Sequence, residues 1–399
     1  MRATLTLDAS GETLRVAVEN GGVYKASAAQ KFSDEARAAI LGIAAGPGDI
    51  AKNKKEQGAE LTRYIPRGFH KLIADKAKRL EKEGLILLLE SPSLADYPWE
   101  YIPVMLGTKS AGPKPDYWQN LPMLRSIPGS TYARRYYGWA NIRKCFFSVA
   151  LDAANIMEEI GIFTEHDAFL PGDYGDLRTE FFNSLAEADF IHIASHCKTG
   201  ALISGEETGP HNPYCEPGGE LNSAVLPRLA LADCCKSAEA GPGGRGWEYT
   251  LPGGFVRKKG AAVFIGNIGD AVYSNGRTQF AHHFITMLFN GAYMDGSFNE
   301  LVRQVRLILN EAKNQSQVIY IASDLNPGCR VRDLLLAEGI PPARDRPVYW
   351  PEGVLACLCA LSALTSFAFG RPDTLPVCVA GITFSIVYAA IKRVRYIRE

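Results

Sequence analysis

Five short runs in the sequence carry no charged side chain: residues 145–151, 190–194, 229–232, 261–265 and 318–322. Each is too short to be a helix of its own and too uniformly apolar for a strand with one wet face. Helical stretches lie between them. One candidate runs through Glu158-Glu159 and another covers residues 176–186. Two more, 279–289 and 297–313, fill the gap between the last two runs. Buried strands alternating with helices define an α/β class protein with a mostly parallel sheet flanked by helices. In such a sheet, functional side chains gather at the carboxyl ends of the strands.

The preceding part of the chain reads as an α+β subdomain over residues 1–128. Residues 2–27 alternate like a hairpin around Asp8-Ala9-Ser10-Gly11. Ser33 caps an Ala-rich helix, and a second helix over residues 69–82 stops at Gly84. The run Leu85-Ile86-Leu87-Leu88-Leu89 fits a buried strand, and a proline-containing loop is expected over residues 102–128. The Gly-, Pro- and Glu-containing stretch 204–219 and the Gly-rich stretch 241–254 both read as flexible loops. The second lacks the GxxxxGK[ST] spacing of a phosphate loop.

With 43 basic and 43 acidic side chains the net charge is zero, which argues against a nucleic-acid binder. The amino terminus alternates and meets Asp8, unlike a signal peptide, so the nine cysteines are expected as thiols in a cytoplasmic body. Composition shifts sharply after a linker over residues 331–350. Residues 353–369 and 374–391 form apolar runs of 17 and 18 residues, joined by the polar turn Gly370-Arg371-Pro372-Asp373. A bilayer-spanning helix needs roughly 20 residues. Tyr349-Trp350 stands at one edge as an interfacial anchor, and Lys392, Arg393, Arg395 and Arg398 crowd the other. Residues 351–399 therefore read as a membrane hairpin with a basic tail, both of its ends facing the cytoplasm.

Two strand ends carry reactive side chains. One run leads into Ser195-His196-Cys197 and another into Asp233-Cys234-Cys235-Lys236-Ser237. A thiol reacts as its thiolate, and an imidazole on the neighbouring strand end is placed to take its proton. The same residues also fit two other readings: a histidine and cysteines packed in a core, or a metal site with His192 and Cys234 added. Metal is the weakest of the three, because there is no CxxC pair and adjacent cysteines fit tetrahedral zinc poorly. No cofactor is expected.

Phe190-Ile191-His192-Ile193-Ala194-Ser195-His196 resembles the histidine motif of CHAT-domain proteases, caspase-fold relatives that include separase. Residues 229–237, LALADCCKS, resemble the cysteine motif of the same group, and the Asp-Cys-Cys core is similar to metacaspase-like peptidases. Tyr97-Pro98-Trp99-Glu100 resembles the family's Pro-Trp-Glu element, and residues 254–263 its Gly-Ala-strand segment. The resemblance implies a CHAT caspase-like domain over residues 140–330, with the first 128 residues as its pseudo-caspase-like half. It implies a cysteine endopeptidase in which His196 manages the proton and Cys235 is the nucleophile. The backbone N–H groups of Cys197 and Cys235 would hold the oxyanion. Cys197 stands where the family has glycine. By the same resemblance Asp233 binds a basic side chain just before the scissile bond, with Asp152 as a second carboxylate for that pocket. Buried carboxylates need a cationic partner, which a substrate Arg or Lys supplies. The expected partners are a protein substrate, the membrane through residues 353–391 and an activating protein. Family analogy places such hairpin-anchored proteases in prokaryotic defence or cell death. Two rival readings remain open: a membrane-perturbing effector gated by a caspase-like body, and a catalytically inactive scaffold.

Overall fold

A computed structural model describes residues 1–7, 11–20, 23–43, 50–104, 116–117, 121–131, 144–148, 179, 181, 190–198, 201–204, 212–215, 228–240, 246–258, 260–269, 275–289, 295–312, 316–331 and 334. The chain begins with β1 (Arg2–Leu7), β2 (Thr13–Asn20) and β3 (Val23–Lys31), followed by α1 (Asp34–Leu41), α2 (Ile50–Leu61) and α3 (Arg67–Glu83). Next come β4 (Leu85–Leu89), the short pair β5 (Pro103–Val104) and β6 (Asp116–Tyr117), then β7 (Met123–Ser126) and β8 (Lys144–Ser148). After these stand β9 (Phe190–Ala194), β10 (His196–Lys198), β11 (Ala201–Ser204), β12 (Asn212–Cys215), β13 (Leu229–Asp233) and β14 (Val263–Asn267). Two helices, α4 (Asn275–Phe289) and α5 (Phe298–Ala312), precede the last strand, β15 (Gln317–Ile321).

One 10-stranded sheet runs in the order β3-β2-β1-β4-β7-β15-β14-β13-β9-β8. Strands from the amino-terminal subdomain and from the 140–330 segment thus belong to a single sheet. β1, β4, β7 and β15 run parallel to one another, as do β14, β13, β9 and β8. The two sets meet in the antiparallel β14–β15 pair. The carboxyl ends of β9, β13 and β14 therefore lie where β15 begins, with Asn267 opposite Gln317.

Local sequence explains the boundaries. Ser33 accepts a hydrogen bond from the Ala36 amide and caps α1, and Ser297 does the same for the Glu300 amide at α5. Gly84 ends α3 at φ +75°, and a Cβ there would lie 2.8 Å from the Pro122 carbonyl, so only glycine fits. Leu85, Leu87 and Leu89 of β4 are buried, and every residue of β9, β13, β14 and β15 is buried too. Strands buried on both faces, as the last four are, do not alternate, which is why they read as mostly apolar runs.

Four expectations need correction. The expected loop over 102–128 contains β7, a central strand, because Arg125 and Ser126 are completely buried there and break the apolar signal. β3 and α2 were not expected, since a Lys- and Ala-containing edge strand and a polar helix lack a clear stripe. The stretch 204–219 holds β12. Trp247, inside the expected loop 241–254, is buried against Tyr320, with ring centroids 6.0 Å apart. The helix candidate at 158–159, Asp152, nearly all of 176–186, the linker after residue 334 and the apolar runs 353–369 and 374–391 lie outside the described residues. Among the described residues no helix is long and apolar enough to cross a membrane.

Candidate active site

Parallel pairing sets β9 and β13 in register, with Ala194 opposite Asp233. His196 and Cys235 each lie two residues past that last pair, on strands whose axes are about 4.8 Å apart. The two sequence-predicted reactive residues thus leave the same edge of the sheet at matching positions, and both are partly exposed. Ser195 fixes the exit of β9 by donating to the Ile203 carbonyl at 2.9 Å. The chain then enters β10, an edge strand of a small antiparallel sheet in which His196 faces Ile203 and Cys197 faces Leu202.

The two adjacent thiols diverge. Cys234 is completely buried, and its sulfur donates to the Ile193 carbonyl at 3.6 Å, back beneath β9. Cys235 is the thiol left at the surface of the turn. Lys236 follows at φ +54°, a left-handed conformation that costs an L-residue about 1–2 kcal/mol. Such a residue persists only where its surroundings over-determine it.

Here they do. The Lys236 amide donates to the Gly269 carbonyl at 2.7 Å, and the Ala238 amide to the Asn267 carbonyl at 2.9 Å. Ser237 Oγ donates to the Ala232 carbonyl at 2.8 Å while accepting from the Asn267 amide at 2.9 Å. The Asn267 side chain donates to Asp233 Oδ1 at 3.1 Å and to the Cys234 carbonyl at 3.2 Å. Gly266 lets the turn approach: a Cβ there would stand 2.8 Å from Ser237 Oγ.

Beneath the turn lies a buried polar hub. Arg125 is fully buried and binds Glu100 through two bonds of 2.8 Å, Nε to Oε1 and Nη2 to Oε2. It also donates to the carbonyls of Ala95 and Tyr97, and to the Tyr320 hydroxyl at 3.2 Å. Burial alone would raise the Glu100 carboxyl, but the guanidinium charge and its hydrogen bonds hold it below the ordinary carboxylate range. Tyr320 in turn donates to the Ala238 carbonyl at 3.2 Å. Asp96 accepts from the Ala240 amide at 2.6 Å. Burial pushes the Asp96 carboxyl up to about 7, against the lowering effect of that amide. The Pro-Trp-Glu segment thus supports the turn that carries Cys235.

Of the predicted site residues, Cys197 sits in β10, buried, and Asp233 at the base of the turn, 1% exposed. Asp152 lies outside the described residues. His192 is buried at mid-strand, between Phe146 and Leu231 on the neighbouring strands. Among the described residues no cluster of three or more His, Cys, Asp or Glu side chains could hold a metal. Sequence reasoning missed Asn267, Ser237, Tyr320, Arg125 and Asp96. Two signals were present: a single arginine beside Met123-Leu124, and a polar residue closing the run that ends in Ile265-Gly266. The chain matches no protein-family model and none of the curated proteins.

Proposed function

We propose that this chain is a membrane-anchored cysteine endopeptidase of the CHAT, caspase-like type, with His196 and Cys235 as its dyad. The observation that carries the reading is the placement of these two residues at matching positions beyond a paired strand end, with Cys235 at the surface and Cys234 turned inward. His196 withdraws the proton from the Cys235 thiol, and the thiolate sulfur attacks the peptide carbonyl carbon. The backbone N–H groups of Cys235 and Cys197 stabilise the oxyanion. His196 then passes its proton to the leaving amine, and a water molecule, deprotonated by the same imidazole, releases the acyl group. Asp233 is the proposed partner of a basic side chain before the scissile bond, with Asp152 as the second candidate for that pocket. Asp233 is 1% exposed, so admitting that side chain requires the turn above it to move. Residues 353–391 hold the body at the membrane with both hairpin ends in the cytoplasm, and a protein partner signals activation in a prokaryotic defence or cell-death pathway.

The test uses the full chain in detergent or liposomes with peptides containing Arg or Lys. Cys235→Ala abolishes cleavage and leaves thermal unfolding unchanged, whereas Cys234→Ala keeps cleavage. Loss with Cys234→Ala but not with Cys235→Ala overturns the assignment of the nucleophile. Cleavage that survives both substitutions overturns the thiol mechanism altogether.

A further inference from the structure

Asn267 makes five hydrogen bonds, and four of them span the chain on both sides of Cys235. Its main-chain amide binds Ser237 Oγ at 2.9 Å, and its carbonyl accepts from the Ala238 amide at 2.9 Å. Its side-chain nitrogen donates to Asp233 Oδ1 and to the Cys234 carbonyl, at 3.1 and 3.2 Å. Its side-chain oxygen accepts from Ser316 Oγ at 2.7 Å. Asn267 is 1% exposed, and Ser316 is buried beside it. The chemistry of the partners dictates which way the amide points. A carboxylate and a carbonyl only accept, so the NH2 group must face them, and the Ser316 hydroxyl can donate to the oxygen left over.

We infer that Asn267 is a positioning residue for the turn: its carboxamide, anchored at its oxygen by Ser316, sets both the exposure of Cys235 and the direction of the Asp233 carboxylate. A packing role alone would need only the size of the side chain. Positioning needs two N–H donors at that place, and no other residue of the same shape supplies them. Asp and Leu are the useful comparisons. Asn267→Asp keeps the shape but replaces the two N–H donors that face Asp233 and the Cys234 carbonyl with a carboxyl that supplies at most one. Asn267→Leu keeps the bulk and removes the polarity. The inference deepens the peptidase reading, but its main readout does not require peptide cleavage.

The experiment labels the full-length protein with iodoacetamide across a pH series, and mass spectrometry counts modification at Cys235 and Cys234 separately. In the natural protein Cys235 is labelled and Cys234 is spared. In Asn267→Asp two carboxyls meet in a buried site and share a proton, so the single remaining donor cannot hold both Asp233 and the Cys234 carbonyl, and labelling spreads to Cys234. In Asn267→Leu the turn loosens and labelling spreads to Cys234. Ser316→Ala leaves the amide oxygen without its donor and weakens the hold on the side chain, shifting the Cys234-to-Cys235 ratio in the same direction to a lesser degree. This last change also serves if either Asn267 variant fails to fold. A labelling ratio identical to that of the natural protein in folded Asn267→Asp, or an unchanged ratio in Ser316→Ala, overturns the inference. The failure of peptide cleavage in every protein would instead overturn the peptidase reading and leave the labelling result standing.

Discussion

The Tyr320 hydroxyl donates to the Ala238 main-chain carbonyl at 3.2 Å, joining the strand β15 to the turn that carries Cys235. The same oxygen accepts from Arg125 at 3.2 Å, so one buried phenol lies between a charged hub and a candidate catalytic turn. Rigid support of this kind matters because a nucleophile displaced by an ångström loses much of its advantage.

Removing that oxygen alone tests the link. Tyr320→Phe keeps the ring against Trp247 but leaves the Ala238 carbonyl and one guanidinium N–H without this partner. We expect a loss of about 1–3 kcal/mol in urea unfolding, together with altered alkylation of Cys235. Unfolding and alkylation both matching the natural protein would mean that the bond does not support the turn.

The ion pair below it behaves differently. Glu100→Gln leaves the fully buried Arg125 charge uncompensated and should cost roughly 3–5 kcal/mol. Replacing both partners, Glu100→Leu with Arg125→Met, should restore most of that loss, since well-packed apolar residues often replace a buried pair without penalty. A double variant as unstable as the single one would show that the hydrogen bonds to Ala95, Tyr97 and Tyr320, or the buried Arg306 charge that Glu100 also offsets, dominate over the ion pair.

Asp96 gives a pH signature. Its carboxyl rises from an ordinary 3.8 to about 7 when folded, mainly through burial, with Glu239 adding to the rise and Arg125 and Lys54 opposing it. The folded state therefore holds the proton more tightly than the unfolded chain. Its contribution to stability is complete below about pH 4 and fades as pH climbs through 7. Asp96→Asn still offers an acceptor to the Ala240 amide and cannot ionise. Relative to the natural protein it should gain on the order of 1–2 kcal/mol between about pH 4 and pH 8, a figure discounted because the side chain is partly exposed. A stability difference that stays constant with pH would remove Asp96 from this account.

Gly266 reports on how closely the turn sits on β14. A methyl group there meets Ser237 Oγ at 2.8 Å and the Phe264 ring at 2.9 Å. Gly266→Ala should destabilise by about 1–3 kcal/mol through overpacking, and Gly266→Ala combined with Ser237→Ala should recover part of it. Denaturant titration of both proteins decides the matter.

Much of the frame was legible in the chain. β4 and β9 are found over the residues expected, and β13 extends one residue further, to Asp233, because unbroken apolar runs bounded by polar residues have few alternatives to a buried strand. Ser33 and Gly84 marked helix ends through capping chemistry that acts within a few residues. β14 is displaced by two residues from the expected 261–265, and that shift brings Asn267 into the sheet as its last residue. β7 was hidden because a charged residue in a central strand makes sense only once its distant partner is known. Glu100 lies 25 residues away in sequence and fully buried beside it.

Local sequence determined the class of sheet, the two strand ends and the presence of adjacent thiols, since each depends on short-range periodicity and residue type. Tertiary structure decided which thiol reaches solvent, how Asp233 is held and what props up the turn. Those outcomes depend on hydrogen bonds between residues dozens to hundreds of positions apart, such as Asn267 with Asp233 and Arg125 with Tyr320. No pattern along the chain encodes such pairs, because the energy of a buried polar group is set by the partner that folding delivers to it.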